Sequence, residues 1–94
     1  MITVTFRTFG HLTVVAKGHQ TEVELEGDTV QAFLDELVRR FGPSMQSILY
    51  PRGEGFSELL YVLINGKNMN HLDGTHTHLK NGDVVSVLPM TAGG

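Results

Sequence analysis

The chain contains no cysteine. That excludes a disulfide framework, a thiolate nucleophile, a cysteinyl iron–sulfur cluster and zinc sites built on thiolates. It also leaves the redox compartment unmarked. Tryptophan is absent, and only 7 residues are Lys or Arg against 10 Asp or Glu, a net charge of −3. No segment gathers cations, and phosphate binding draws its affinity from clustered cations, so no nucleic-acid partner is expected. No apolar run approaches the roughly 20 residues that a membrane span needs, so no membrane partner is expected either. The opening MITVTFRTF lacks the basic segment followed by an apolar block that marks a signal peptide, and it alternates instead. A cytoplasmic protein is the expectation.

What is present suits a small globular domain. At 94 residues, 40% apolar and 18% charged, the chain predicts a single domain over 1–94, with residues 90–94 as a flexible C-terminal tail. A chain this size hides roughly 60–65% of its unfolded surface, so its stability is modest.

The pattern along the chain changes period several times. Ile2, Val4 and Phe6 alternate with Thr3, Thr5 and Arg7, which predicts a half-buried strand. The break over Gly10–Gly18 predicts the bend of a hairpin. TEVELEG then alternates again, with Val23 and Leu25 inward and Glu22, Glu24 and Glu26 outward. Acids on the wet side of an edge strand oppose edge-to-edge association. In GDTVQAFLDELVRRFGP the apolar residues Val30, Phe33, Leu34, Leu37, Val38 and Phe41 recur at three and four, one helical stripe. Asp28 or Thr29 can cap that helix, Asp28 with Gln31 has capping-box spacing, and Gly42–Pro43 ends it. Met45, Ile48 and Leu49 suggest further helical turns, followed by the breaker-rich loop YPRGEGFSE. LLYVLIN is near-continuously apolar and predicts a central strand covered on both faces. Asn65–Gly66 is a strong hairpin turn signal, with a short returning strand Lys67 to Asn70. HLDGTHTHLKNGD is turn-rich, and Val84 to Leu88 forms the last strand. An initial hairpin, a helical crossover and a closing strand place the first and last strands as parallel neighbours. The expected fold class is α+β: a β-grasp, a mixed sheet of four to five strands covered by one main helix.

No self-contained active site stands out. His71, His76 and His78 lie in a turn-rich stretch without acids spaced as further ligands, so they read as solvated loop histidines rather than a metal site. His11 and His19 merely flank a turn. Glu22, Glu24 and Glu26, and Asp35 with Glu36, read as solvated faces. No serine sits in a nucleophile elbow, and no glycines form a phosphate loop. No catalytic residue, metal or bound cofactor is expected.

The terminus is different. The chain ends LPMTAGG. Glycine loses more freedom on ordering than any other residue, so the pair Gly93–Gly94 contributes nothing to a fold. A bare backbone can, however, enter a channel too narrow for side chains. The α-carboxylate beyond it becomes reactive once ATP converts it to an acyl-adenylate. Sulfide would then give a thiocarboxylate, and an amine would give an amide.

A β-grasp pattern closing on LPMTAGG resembles the ubiquitin-like sulfur carriers: the small subunit of molybdopterin synthase (MoaD), the thiamine carrier ThiS and the small archaeal modifier proteins. The resemblance covers the whole chain. It is strongest over VLINGKNMNHLDGTHTHLKNGDVVSVLPMTAGG, with its HLDG stretch and the NGD turn before the last strand. It implies that Gly94 is adenylated and thiocarboxylated, or joined by an isopeptide bond, with Gly93 beside it in the channel. Leu88 stands where the family usually has an exposed aromatic that docks on the activating enzyme and the synthase, and Met90 falls in the same docking region. Two departures are Pro89–Met90, where many members have two prolines, and Arg7, on a first-strand face often apolar in MoaD. The implied partners are a ubiquitin-activating-like adenylyltransferase that uses ATP, and an acceptor: the large subunit of molybdopterin synthase, or lysines of target proteins. The free chain is expected to be a monomer. Three functions follow: a sulfur carrier for molybdopterin, another cofactor or tRNA; a protein modifier joined through Gly94; or a β-grasp binding domain whose glycine pair is incidental.

Overall fold

The chain runs β1 (Ile2–Thr8), α1 (His11–Val15), β2 (Gln20–Leu25), α2 (Val30–Phe41), α3 (Pro43–Leu49), β3 (Leu60–Ile64), β4 (Lys67–Asn68), two 3-10 turns (Met69–His71 and Gly74–His76) and β5 (Val84–Pro89). This is the order in a computed structural model that describes residues 1–89. The sheet order is β2-β1-β5-β3-β4. β1 and β5 are parallel, with Phe6 opposite Val85. The pairs β1–β2, β3–β5 and β3–β4 are antiparallel. This is the β-grasp, built on five strands and three helices.

The alternation of the outer segments decides which face is covered. Val4, Phe6, Val23, Leu25, Val85 and Val87 are buried on one face of the sheet. The helical stripe of α2 closes over them through Val30, Phe33, Leu34 and Leu37. Phe6 and Phe33 meet edge to face, with ring centroids 5.4 Å apart, the arrangement the ring quadrupole favours. Thr29, not Asp28, caps α2: its hydroxyl accepts from the Ala32 amide at 3.1 Å. Asp28 instead gives its carbonyl to the Leu79 amide at 2.6 Å, which ties the loop after the second 3-10 turn to the start of α2. Arg40, in the last turn of α2, donates to the Glu22 carbonyl at 2.8 Å and so covers part of the free edge of β2.

Three expectations need correction. Gly10–Gly18 is not a plain bend: α1 forms there, because Leu12 and Ala16 at i, i+4 both reach the core. Thr8 is buried beside it, and its hydroxyl donates to the Gly18 carbonyl at 2.6 Å. β3 is not covered on both faces. Val62 and Ile64 are buried, but Tyr61 and Leu63 are half-buried on the face away from the helices, and Leu59 is 69% exposed. An apolar run that long reads as buried throughout, yet every second residue belongs to the open side. The returning strand β4 is only Lys67–Asn68, since the chain turns into a 3-10 helix that buries Met69. The Asn65–Gly66 turn holds, with φ of 53° and 90°, the left-handed pair of a tight hairpin.

Candidate functional site at the exit of the C-terminal tail

β5 is the central strand, bonded on both sides. Its residues Val84 to Val87 pair with β1, and Val85 to Pro89 pair with β3, ending on the rung Leu60–Pro89. Whatever the tail does, it starts from a strand clamped by two neighbours. Gly10 sits against this last rung: its φ is 63° and its ψ −136°, a conformation nearly confined to glycine. A Cβ there would stand 3.4 Å from the Pro89 ring. The corner between β1 and α1 therefore approaches the point where the tail leaves the sheet.

On the open face, Leu88 lies opposite Tyr61, and Ser86 lies between Arg7 on β1 and Leu63 on β3. Leu88 points away from the helices, as strand alternation predicts, while Val85 and Val87 are buried under them. It is half-buried rather than fully exposed, because its cross-strand neighbour Tyr61, at the usual spacing of about 4.5–5.5 Å, shades it. Arg7 is exposed and its guanidinium lies 5.9 Å from the centroid of the Phe9 ring, within cation–π range. Gly93, Gly94 and Met90 fall outside the described residues, as does the tail 90–94.

Among the described residues, the ionisable groups form no reacting constellation. Among the described residues, no three His, Asp or Glu side chains gather as metal ligands. His71, His76 and His78 are exposed. His78 Nδ1 lies 3.4 Å from Asp28 Oδ2, at the start of α2. A close surface pair lies on α2: hydrogen bonding from Arg39 holds the Glu36 carboxyl below its ordinary 4.5, against the opposing effect of burial, and the same bond raises Arg39. Sequence reading missed α1 and the part of Gly10 in setting it against Pro89. The i, i+4 pair Leu12 and Ala16, following a glycine, was the available signal.

Comparison with known proteins gives the geometry its context. The model of the ThiS family matches residues 7–94. A protein of Archaeoglobus fulgidus, provisionally named as a sulfur carrier protein, is 33% identical over 73 residues, covering 78% of this chain and 82% of its own. Small archaeal modifier protein 3 of Haloferax volcanii is 58% identical over a shorter stretch of 33 residues, 35% of this chain and 36% of its own. Among solved structures, small archaeal modifier protein 1 of Methanosarcina acetivorans superposes with a TM-score of 0.85 at 28% identity, covering 100% of this chain and 98% of that one. The CysO chain of a BexX/CysO complex from Amycolatopsis orientalis gives 0.77 at 26% identity, over 97% and 99%. These relatives are carriers or modifiers, small ubiquitin-like proteins rather than catalysts. The chain belongs to the ThiS family of ubiquitin-like proteins.

Proposed function

We propose that this chain is a sulfur carrier whose chemistry occurs on the carboxylate of Gly94. The observation that carries the reading is that the family match runs through Gly94, beyond a central strand that the sheet holds up to Pro89. A carboxylate oxygen of Gly94 attacks the α-phosphorus of ATP on a ubiquitin-activating-like adenylyltransferase, and pyrophosphate leaves. Hydrosulfide then attacks the acyl carbon; AMP leaves, a proton is released, and the thiocarboxylate remains. The carrier itself holds no cofactor; ATP belongs to the partner. Gly93 follows Gly94 into the channel of that enzyme, while Leu88 and Met90 dock beside it. The acceptor is the large subunit of molybdopterin synthase, or the enzyme of another cofactor or of tRNA thiolation. The free carrier is a monomer acting in the cytoplasm.

A second reading has its own support in the stretch 58% identical to a small archaeal modifier protein. In it a lysine amine, not hydrosulfide, attacks the adenylate, and an isopeptide bond forms as AMP leaves. Intact-mass analysis of the protein from its own cells separates the two. Replacement of one oxygen by one sulfur at the terminus supports the carrier. Lysines of other proteins that carry residues 81–94 as a branch, the remnant that trypsin leaves by cutting after Lys80, support the modifier. An unaltered carboxylate in cells that hold the activating enzyme, with no such remnants, would overturn both.

A further inference from the structure

Among the described residues, the core is not sealed at the end where β5 stops. Beyond the last buried residues, an open groove of about 410 Å³ lies between the sheet and the first and third helices, a size in the range of about 300–1,000 Å³ typical of binding pockets. Its floor is the final rung Leu60–Pro89, both on the helix-covered face. Leu12 and Val15 of α1 form one wall and Ile48 of α3 the other, with Phe9 and Val14 at the rim. Among the described residues, no charged one lines it. Val14 is 77% exposed and Phe9 41%. Exposed apolar residues gathered around one concavity mark a contact site rather than scattered surface.

The position of the groove limits what can cover it. Pro89 lies in its floor, and five residues, 90–94, separate Pro89 from the Gly94 carboxylate of the proposed reaction. Fully extended, that segment spans at most about 17–18 Å. Any enzyme that brings its reacting atoms to Gly94 must therefore stand within that distance of the groove. An uncharged, concave lining accepts an uncharged, projecting element and penalises a charged one, which would lose its hydration without gaining a partner.

We propose that this groove, on the opposite side of the sheet from Leu88, receives an apolar side chain or turn of the adenylyltransferase that activates Gly94. The inference rests on the activation proposed above. The two faces then grip the base of the tail from both sides, which fixes the direction in which residues 90–94 enter the channel.

The test is ATP–pyrophosphate exchange catalysed by the adenylyltransferase purified from the same cells, with the full chain as the varied substrate. Val14→Arg, at an exposed rim position, is expected to fold as the parent does and to raise the KM for the chain at least tenfold while kcat stays within about twofold. Val14→Leu is expected to keep the parent KM. A parent-like KM for Val14→Arg overturns the groove while leaving activation at Gly94 standing. No exchange with the parent chain overturns both. Two other occupants have their own signatures, each of which overturns the proposal. A dimer of the parent in sedimentation, lost in Val14→Arg, would place a second copy in the groove. Methyl resonances of Val14 and Ile48 that shift when residues 90–94 are deleted would place the chain's own tail there.

Discussion

At the scale of single residues, stability and reactivity are assigned to different positions. Gly94 carries the proposed reaction, and a side chain there would set a Cβ beside the carbon under attack. Gly94→Val is expected to fold like the parent and to fail in ATP–pyrophosphate exchange, with Gly93→Val failing less completely, being one residue further from the reaction. Parent-like exchange by Gly94→Val would show that the bare backbone is not what the enzyme reads. Glu36 illustrates the opposite kind of residue. Its carboxyl is held below 4.5 chiefly by the hydrogen bond from Arg39; burial opposes this, and the charges of Arg39 and Arg40 add to the lowering. A folded-state value below the unfolded one means that this pair adds stability above about pH 4.5, and that the contribution is lost as pH falls through the lower folded-state value. Titration of the Glu36 carboxyl by NMR should give a midpoint below 4.5 in the parent and one close to it in Arg39→Ala. The pair lies at the surface, so the accompanying change in stability should be small.

At the scale of elements, what could be read in advance was what repeats. The stripe of α2 and the alternation of β1, β2 and β5 identified their covered faces, because periods of 3.6 and 2 leave little choice once one side must be dry. The side of β5 on which Leu88 lies followed from this alone. α1 was not legible: with one turn and a half there is too little period to detect, and the helix depends on Leu12 finding the core and on Thr8 bonding to Gly18. The open face of β3 was hidden for the converse reason. Leu63 is as apolar as its buried neighbours Val62 and Ile64, and Tyr61 is an aromatic that strands favour, so composition could not tell a covered face from an open one. Leu88→Asp tests that face: it should leave the melting temperature nearly unchanged and weaken binding to the activating enzyme, whereas normal binding would remove Leu88 from the contact. The corner before α1 makes a separate prediction. At φ 63° and ψ −136°, alanine is strained by roughly 1–3 kcal/mol, and its Cβ would come into contact with the Pro89 ring. Gly10→Ala should lower stability by about that amount in urea unfolding and shift the amide resonances of Leu60 and Val87. An unchanged midpoint would mean that the corner relaxes without cost.

At the scale of the molecule, the described sheet ends at Pro89, where residues 90–94 begin, and the functions of core and tail should separate there. Phe33 is fully buried and touches Phe6 at the centre of the core. Truncating such a residue to alanine costs about 3–5 kcal/mol, out of a total of roughly 5–14 kcal/mol expected for a domain of this length. Phe33→Ala should therefore lose a large share of the stability, yet the fraction that remains folded should still be adenylated, since Gly94 and the base of the tail are untouched. Deleting Gly93 and Gly94 should do the reverse. Both residues follow the last strand and bring no apolar side chain, so thermal stability should change by less than about 1 kcal/mol, while exchange is abolished. The pair of measurements, unfolding midpoint and exchange rate per folded molecule, should show two independent losses. A large drop in midpoint on deleting the glycines would mean that the tail belongs to the folded unit, and the picture of a stable handle presenting a reactive end would have to be given up.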